Sequence, residues 1–492
     1  MTIEQREPRL RGAYRFGPAA SLGLLGPITA SQLVCITAGV TLGVGSLFVL
    51  PVALAPLGLI ACIAGGLVAF APTPHGVPLV DALRLRLAAR IGITGRLRFR
   101  AELAGALGVI ETPASWGRLR VVTHEVAAGR VGVLLDDAAR TASVTLSVRS
   151  DAVCLLSAAE REARVACWGA LLAGLAREDR RVRRVSWVER TLRAEGEEAA
   201  RWFAENACAE RDAPSLLDYA AAFDEASEHA VEHSCFVTIT LDARRCERRA
   251  GESRDQAAAR VAVAEAALAQ AQLVEAGLVV RGALAPRRLA EEIRLGVDPA
   301  ARHEIARQAA RGGVAGCAVE QAGPLAIDEG WDHVRLDSAY AATFWIARWP
   351  LTDVDELFLF PLLGATSARR SVAVACEPVA PSVAHRRVEA ELTNEEASRL
   401  QKEQSGYRET ARTKRRASAV AERERELADG HALYRFSGHV SVYGNSLDEL
   451  ETACAQVVSE AQQAGLELRR MVGRQADALA ETLPGLARGV AR

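Results

Sequence analysis

Lysine is almost absent from this chain, whose 60 basic residues are nearly all arginines. The two lysines are Lys402 and Lys414, and neither follows a glycine. A P-loop requires the pattern G-x-x-x-x-G-K-[ST], because its lysine binds the phosphates. The sequence also lacks G-x-S-x-G, and no G-x-G-x-x-G opens a helix after a predicted strand. It therefore predicts no enzyme, no catalytic residue and no cofactor, and it excludes a Walker-type ATPase by itself.

Paired cysteines are absent as well. The ten cysteines are scattered, and none forms a C-x-x-C pair, so neither a zinc ribbon nor a redox motif is indicated. Unpaired cysteines of this kind are typical of a reducing compartment. The net charge of −1 gives no overall bias toward nucleic acid, and direct DNA binding is not expected.

Charge is missing from residues 16–80, which contain no Asp, Glu, Lys or Arg. One membrane-spanning helix needs about 20 apolar residues, so this stretch has room for two, at 28–50 and 52–70. Pro51 and Pro56 favour a turn between them, since proline breaks the helical hydrogen-bond ladder. The sequence predicts a transmembrane helical hairpin within residues 28–72, after a cytoplasmic segment at 1–27. A buried helical hairpin in a soluble core is the alternative.

Arginines flank the uncharged stretch on both sides. They are Arg6, Arg9, Arg11 and Arg15 before it, and Arg84, Arg86, Arg90, Arg96, Arg98 and Arg100 after it. By the positive-inside rule both termini are predicted to be cytoplasmic, in a multi-pass protein of the inner (cytoplasmic) membrane. Residues 73–117 are predicted as a basic juxtamembrane segment. Its helix at 81–100 either lies on the lipid surface or merely sets the topology.

From residue 118 onward, apolar residues recur with the periods of strands and helices. Strands are predicted at 118–125, 131–135, 142–148, 182–188, 235–241, 278–283, 331–337, 340–349, 371–377, 432–443 and 466–471. Helices are predicted at 157–177, 196–208, 214–233, 257–276, 287–293, 299–311, 355–363, 447–464 and 475–483. This pattern indicates a cytosolic α+β body of two subdomains, at 118–323 and 324–492. Whether the two are related cannot be shown from one sequence.

The most charged region, residues 386–429, has few apolar residues and is predicted to be helical, with a possible break at Gly406. A helix this polar is poorly buried. Two interpretations remain open: a projecting arm that docks a partner, or a solvated helix that covers the sheet.

One motif suggests a metal. His229-Ala-Val-Glu232-His233 matches H-x-x-E-H, in which two histidines on one helical face bind zinc and the glutamate is a base. A strand is predicted to follow at once, which leaves the motif at the end of its helix, where a rigid site lacks support. The alternative is a pair of solvated histidines at a helix C-terminus. His229, Glu232 and His233 are therefore a weak metal-site candidate.

Several stretches resemble the membrane proteins of actinobacterial integrative conjugative elements. They are Glu329-Gly-Trp331-Asp332-His-Val-Arg335-Leu-Asp337, Phe344-Trp345-Ile-Ala-Arg-Trp349-Pro350, the residues at 358–363 and 429–436, and Gly473-Arg-Gln475 through Pro484-Gly485. The amino end, with its predicted hairpin, fits as well. The body is similar to the motor-less amino-terminal portion of VirB-type traffic ATPases. On this resemblance Trp331, Asp332, Arg335, Asp337, Trp345, Trp349 and Gln475 are candidate interaction residues.

The resemblance implies a non-enzymatic inner-membrane docking component of a conjugative, type IV-like DNA-transfer or secretion apparatus. Its expected partners are a traffic ATPase supplied by a separate chain, other conjugation membrane proteins and the lipid bilayer, in an oligomeric machine. A type VII secretion subunit of the two-span E type is an alternative with the same layout. The alternative from another class is a membrane-bound zinc hydrolase that uses His229, Glu232 and His233.

Overall fold

The computed structural model describes residues 30–49, 55–71, 73, 78–90, 97–102, 106–149, 155–193, 218–219, 221–222, 231–311, 313–350, 352–364, 368–404 and 411–489. The predicted segment 1–27, the predicted helix 196–208 and His229 lie outside these residues.

The helices are α1 (Ala30–Val49), α2 (Ala55–Phe70), α3 (Leu79–Arg90), α4 (Ala158–Leu175), α5 (Arg254–Glu275), α6 (Pro286–Val297), α7 (Ala301–Ala310), α8 (Phe360–Leu363), α9 (Pro381–Gln404), α10 (Ala411–Ala428), α11 (Leu447–Gln463) and α12 (Gln475–Ala480). The strands are β1 (Arg98–Arg100), β2 (Val109–Ile110), β3 (Leu119–Val126), β4 (Gly129–Asp136), β5 (Thr141–Arg149), β6 (Val182–Arg193), β7 (Val231–Asp242), β8 (Val279–Ala283), β9 (Ala326–Glu329), β10 (Val334–Leu336), β11 (Ala339–Arg348), β12 (Arg369–Pro378), β13 (Tyr434–Gly444) and β14 (Glu467–Arg470).

The two long helices of the first half, α4 and α5, each begin at a serine that caps the helix. Ser157 accepts a hydrogen bond from the backbone N–H of Glu160, whose side chain accepts one in return from the backbone of Ser157. Ser253 and Gln256 repeat this arrangement at the start of α5. Such capping boxes satisfy backbone N–H groups that the first helical turn leaves free. The helix starts are therefore encoded in the sequence itself.

One antiparallel sheet organises the body. Its fourteen described strands follow the order β1-β9-β10-β11-β13-β12-β6-β7-β5-β4-β3-β2, while β14 pairs with β11 and β8 pairs with β5. The strands β6 and β12 lie side by side at the centre, with Val188 opposite Ala373. The sheet is therefore continuous across the two predicted subdomains.

The same order of elements occurs twice. In the first half, β3, β4 and β5 are followed by α4, β6, β7, α5, β8 and α6. In the second half, β9, β10 and β11 are followed by α8, β12, β13, α11, β14 and α12. The strand pairings repeat as well, since β8 joins β5 as β14 joins β11. The two halves meet at β6 and β12 with approximate twofold symmetry.

The two faces of the sheet are packed differently. One face carries separate apolar cores in each half, under α5 in the first and α11 in the second. The other face carries one core that both halves share beneath α6 and α12. Buried hydroxyl pairs also lie on this second face, such as Thr145 with Thr238 at 3.0 Å and Thr343 with Ser441 at 2.8 Å. Each hydroxyl is satisfied by the other, so burial is tolerated.

The predicted transmembrane hairpin is wrong. Among the described residues, no helix combines the length and the apolar character needed to cross a membrane. Helix α2 has 16 residues and spans about 24 Å at about 1.5 Å per residue, short of the ~30 Å hydrocarbon layer. The prediction relied on the absence of charged residues, and that absence does not determine how long a helix is. The multi-pass inner-membrane location predicted from the hairpin is wrong for the same reason.

The helices α1 and α2 nevertheless pack against each other. A Cβ atom at Gly58 would lie 2.6 Å from the carbonyl oxygen of Gly43, so the two backbones approach too closely for a side chain. Gln32 donates to the carbonyl of Ala69 at 3.1 Å, and Ser31 donates to Asp81 of α3 at 2.6 Å. Close backbone packing and a few polar contacts hold this unit together.

The predicted basic segment at 73–117 divides into different structures. Its helix, α3, ends at Arg90 instead of residue 100, and Arg98–Arg100 forms strand β1. Strand β1 pairs with β9 of the second half, whereas β2 pairs with β3 of the first half. Arg98 and Arg100 therefore belong to the edge of the sheet. A strand of three residues is too short for the alternation of apolar and polar residues to reveal it.

Most longer predicted elements are confirmed, with three instructive exceptions. The strand predicted at 331–337 is reduced to Val334–Leu336, because residues 331–333 connect β9 to β10. The predicted helix at 214–233 is wrong at its end, because Val231–His233 opens strand β7. The predicted helix at 355–363 is reduced to Phe360–Leu363. The predicted helical region at 386–429 is confirmed as two helices, α9 and α10.

Candidate functional site

The clearest feature that the sheet does not require is the arm, defined as helices α9 and α10. It is inserted between β12 and β13, which are adjacent antiparallel strands over ten residue pairs. Antiparallel neighbours can be joined by a short hairpin. The chain instead leaves the sheet at Pro378 and returns at Tyr434. The insertion is therefore an addition to the fold.

The two helices of the arm pack together near the point where the arm begins. Ala384 and Val388 of α9 are buried, as is Val420 of α10. Glu391 accepts a hydrogen bond from Arg423 at 3.0 Å, which ties the two helices together partway along their length. The arm is thus a packed antiparallel pair at its base.

Farther along α9, several of the described side chains are exposed. Leu400 is 54% exposed, although it is a large apolar residue. Thr393, Asn394 and Glu396 are also exposed. A helix that is polar on most sides gains little stability from packing. The outer part of the arm is consequently available to a partner.

The structure describes two residues of the H-x-x-E-H motif, since His229 lies outside the described residues. Glu232 and His233 are consecutive residues of strand β7, and side chains alternate between faces along a strand. Glu232 accepts a hydrogen bond from Arg302 at 2.7 Å, whereas His233 Nδ1 lies 2.6 Å from Glu189 and 3.2 Å from Thr191. The helical geometry assumed for a zinc pair is therefore absent here. In the described part of the chain, no group of three His, Cys, Asp or Glu could hold a metal ion.

Trp331 and Asp332 lie in the turn between β9 and β10. The guanidinium of Arg86 on α3 lies 5.4 Å from the centroid of the Trp331 ring, within cation–π range. Asp332 bonds His333 at 2.8 Å, and its backbone carbonyl accepts from Arg470 at 2.6 Å. Burial acts to raise the pKa of Asp332, but His333 and the charge of Arg470 outweigh it and lower the pKa. These residues join α3, the turn and β14.

Arg335, Trp345 and Trp349 are partly accessible. Arg335 lies over the ring of Tyr340 at 5.8 Å. Trp345 is 36% exposed on β11, and Trp349 makes an edge-on contact with Phe436 at 5.3 Å. These three side chains remain candidates for contact with a partner.

Asp337 and Gln475 have structural partners instead. Asp337 is paired with Arg294 of α6 at 2.6 Å and accepts backbone N–H bonds from Leu325 and Ala326. Gln475 is fully buried, and its side-chain oxygen accepts the N–H of Thr343 at 2.7 Å. Neither side chain can reach a partner without a local rearrangement.

The sequence analysis did not predict a polar cluster that forms around Arg184 and Glu481 at the last described residues of the chain. Arg184 donates to the carbonyl oxygens of Ala487 and Arg488, and to Glu377 at 3.3 Å. Glu481 accepts the N–H groups of Arg488 and Gly489 at 2.9 and 3.1 Å. The available signal was Arg184 inside the strand predicted at 182–188, because charged residues are almost never fully buried unless paired.

No family model matches this chain, and no curated protein matches it. The functional proposal therefore rests on the geometry described above and on the sequence resemblance.

Proposed function

We propose that this chain is a non-enzymatic docking component of a conjugative, type IV-like DNA-transfer or secretion apparatus, and that its arm recruits a separate VirB-type traffic ATPase. The observation that carries the proposal is the arm itself, a helical pair inserted where the sheet needs only a short turn. The predicted transmembrane anchor forms no part of this proposal.

The shape of the arm supports docking. At its base Val388 and Val420 are buried, and the Arg423–Glu391 bond joins the two helices to each other. Its outer part exposes charged side chains of both signs, including Glu396 and Arg399. Charged surfaces of this kind favour specific and fast association with a complementary surface. A packed helical pair with exposed charged residues is suited to recruiting a partner.

The choice of a traffic ATPase as the partner comes from the sequence resemblance. The stretches at 329–350 and 473–485 resemble proteins encoded beside traffic ATPases. Trp345 is accessible on the same half of the sheet from which the arm departs. It offers a second contact point, since tryptophan is enriched among the residues that dominate binding energy at interfaces.

The test shortens the arm without disturbing its base. Residues 393–418 are replaced by a short glycine-rich linker, because Glu391 and Arg423 already lie in contact at 3.0 Å. The tagged variant is purified beside the wild-type chain from native cells, and co-purified proteins are identified by mass spectrometry. Recovery of the traffic ATPase should fall at least about tenfold, which corresponds to ~1.4 kcal/mol of binding free energy. The thermal unfolding temperature of the body should be unchanged.

A matched control changes charges on another exposed helix. Glu304 and Arg307 form an exposed pair on α7, and their replacement by alanine should leave recovery unchanged. Full recovery of the ATPase with the shortened arm would contradict the assignment of the arm. Failure of the wild-type chain to recover any conjugation protein would contradict the proposed function as a whole.

A further inference from the structure

The fold brings three arginine-bearing loops of the first half together at one end of its sheet. They are residues 137–140 between β4 and β5, residues 177–183 from the end of α4 into β6, and residues 242–255 from the end of β7 into α5. Thr141, at the start of β5, is paired with Asp242, at the end of β7. The three loops are called the arginine end here.

Hydrogen bonds join the loops of the arginine end to one another. The backbone N–H of Ala243 donates to the carbonyl oxygen of Arg140 at 2.9 Å. The guanidinium of Arg183 donates to the carbonyl oxygen of Ala139 at 3.0 Å. The first loop therefore contacts both of the others, and arginines that are far apart in sequence share one surface.

The carboxylates of the arginine end already have partners. Asp137 and Asp255 both pair with Arg120 of β3, each at 2.7 Å. The other ion pairs are Asp179 with Arg177, Glu247 with Arg181 and Glu252 with Arg260, while Glu178 accepts the backbone N–H of Ser382 and Asp242 accepts that of Arg244. These acidic groups are therefore engaged with donors of the chain itself.

Four arginines of the same surface have no such partner. Arg140, Arg245, Arg248 and Arg254 are exposed, and none of them forms an ion pair with a carboxylate of the described residues. The net charge of −1 over the whole chain gave no sign of this surface, because a sum over the sequence does not record where the fold places each charge. An anion that approaches this end meets unbalanced positive charge.

The surroundings of these arginines indicate which anion fits. In the described part of the chain, none of the exposed large apolar residues lies in the three loops. A protein interface has an apolar core, whereas phosphate contacts alone supply non-specific affinity for nucleic acid. Single strands are bound largely through bases stacked on aromatic rings, and the three loops contain no aromatic residue. The phosphates of a duplex are therefore the best match.

We propose that the arginine end binds the phosphate backbone of duplex DNA without regard to base sequence. Each free guanidinium presents a planar set of N–H donors that matches the oxygens of a phosphate. If the four arginines neutralise about four phosphates, the affinity should fall about a hundredfold between roughly 50 and 200 mM salt. This inference goes beyond the proposed function and does not rest on it, because it concerns the first half and requires no ATPase.

Fluorescence anisotropy tests the proposal with the purified full chain and a labelled duplex of about 20 base pairs of random sequence, titrated at several salt concentrations. In the double variant Arg245→Gln and Arg248→Gln, affinity at low salt should fall at least about tenfold, and the slope of log affinity against log salt should fall by about half. The thermal unfolding temperature should be unchanged, since both side chains are exposed.

A matched control changes two exposed arginines at the opposite end of the same strands. Arg130 lies at the start of β4, and Arg281 lies on β8 beside the end of β5. The double variant Arg130→Gln and Arg281→Gln should bind the duplex as the wild-type chain does. An equal loss of affinity in this control would show diffuse attraction to charge and would overturn the assigned surface.

Two further outcomes would contradict the proposal. The absence of salt-dependent duplex binding by the wild-type chain would overturn it outright. Tighter binding to vesicles of anionic lipid, or to a single strand of the same length, would assign the surface to a different ligand and overturn the choice of duplex DNA. These outcomes are independent of ATPase recovery, so failure here and failure of the proposed function can be told apart.

Discussion

Gln475 was a candidate interaction residue on the sequence resemblance, but in the structure it stabilises the fold. It is fully buried at the start of α12, and its side-chain oxygen accepts the backbone N–H of Thr343 at 2.7 Å. Its side-chain amide also donates to the carbonyl of Thr343 at 3.3 Å. That carbonyl has a second donor, the N–H of Met471 at 3.0 Å. The N–H of Thr343 therefore depends on Gln475 more than the carbonyl does.

The cost of losing this amide can be worked out from these contacts. Gln475→Met keeps a similar volume but leaves the buried N–H of Thr343 without an acceptor, which costs about 1–3 kcal/mol. Gln475→Ala adds a cavity, and large-to-small core substitutions typically cost about 2–5 kcal/mol. We expect the free energy of unfolding to fall by about 2 kcal/mol for the first variant and about 4 kcal/mol for the second.

Urea unfolding followed by tryptophan fluorescence measures both values, with unchanged slopes as the sign of a common unfolded state. Gln462→Met, at an exposed position on α11, is the control and should lie within about 0.5 kcal/mol of the wild-type chain. A Gln475→Met variant as stable as the control would refute the reasoning. If that variant then lost ATPase recovery, Gln475 would be a contact residue after all.

Three further predictions concern other buried groups. Tyr443→Phe removes a 2.7 Å hydrogen bond to the carbonyl near the end of α6 and should lower the free energy of unfolding by about 1 kcal/mol in the same urea assay. Gly323→Ala places a Cβ atom that overlaps the backbone carbonyl of Glu111, so we expect a loss of about 1–3 kcal/mol, whereas Gly66→Ala meets no atom within 4 Å and should cause none. Burial lowers the pKa of His439 to about 4, so the folded chain stays neutral there while the unfolded chain binds a proton below its ordinary value of 6.5. Stability should therefore fall between pH 6.5 and pH 4, by less in His439→Asn, and equal pH profiles in the two chains would contradict this.

The hairpin at α1 and α2 illustrates what a composition argument can miss. The absence of charge correctly indicated two apolar helices, and the predicted turn between them lies outside the described residues. Whether a helix spans a bilayer also depends on its length, and α2 has 16 residues. Helix boundaries depend on where backbone hydrogen bonds end, which an uncharged run of residues does not record. The prediction failed at that step.

The zinc motif failed for a related reason. The spacing of His229, Glu232 and His233 is meaningful only on a helix, and the strand β7 includes the last two. Pairing with β6 over residues Val231 to Leu241 decided the conformation there. Local sequence gives no sign of that pairing, because the partner strand is some forty residues away and was predicted to be shorter.

The sequence by itself determined the strong local features of this protein. Period-two strands, capped helices and a charged region too polar to be buried follow from side-chain pattern and backbone hydrogen bonding alone. The tertiary structure decided which strands are neighbours, and with them the twofold arrangement of the halves and the packing of residues 483–489 against the first half. Only the fold could bring Glu481, Arg184 and Asp136 together, since long-range contacts depend on chain topology that no local pattern specifies.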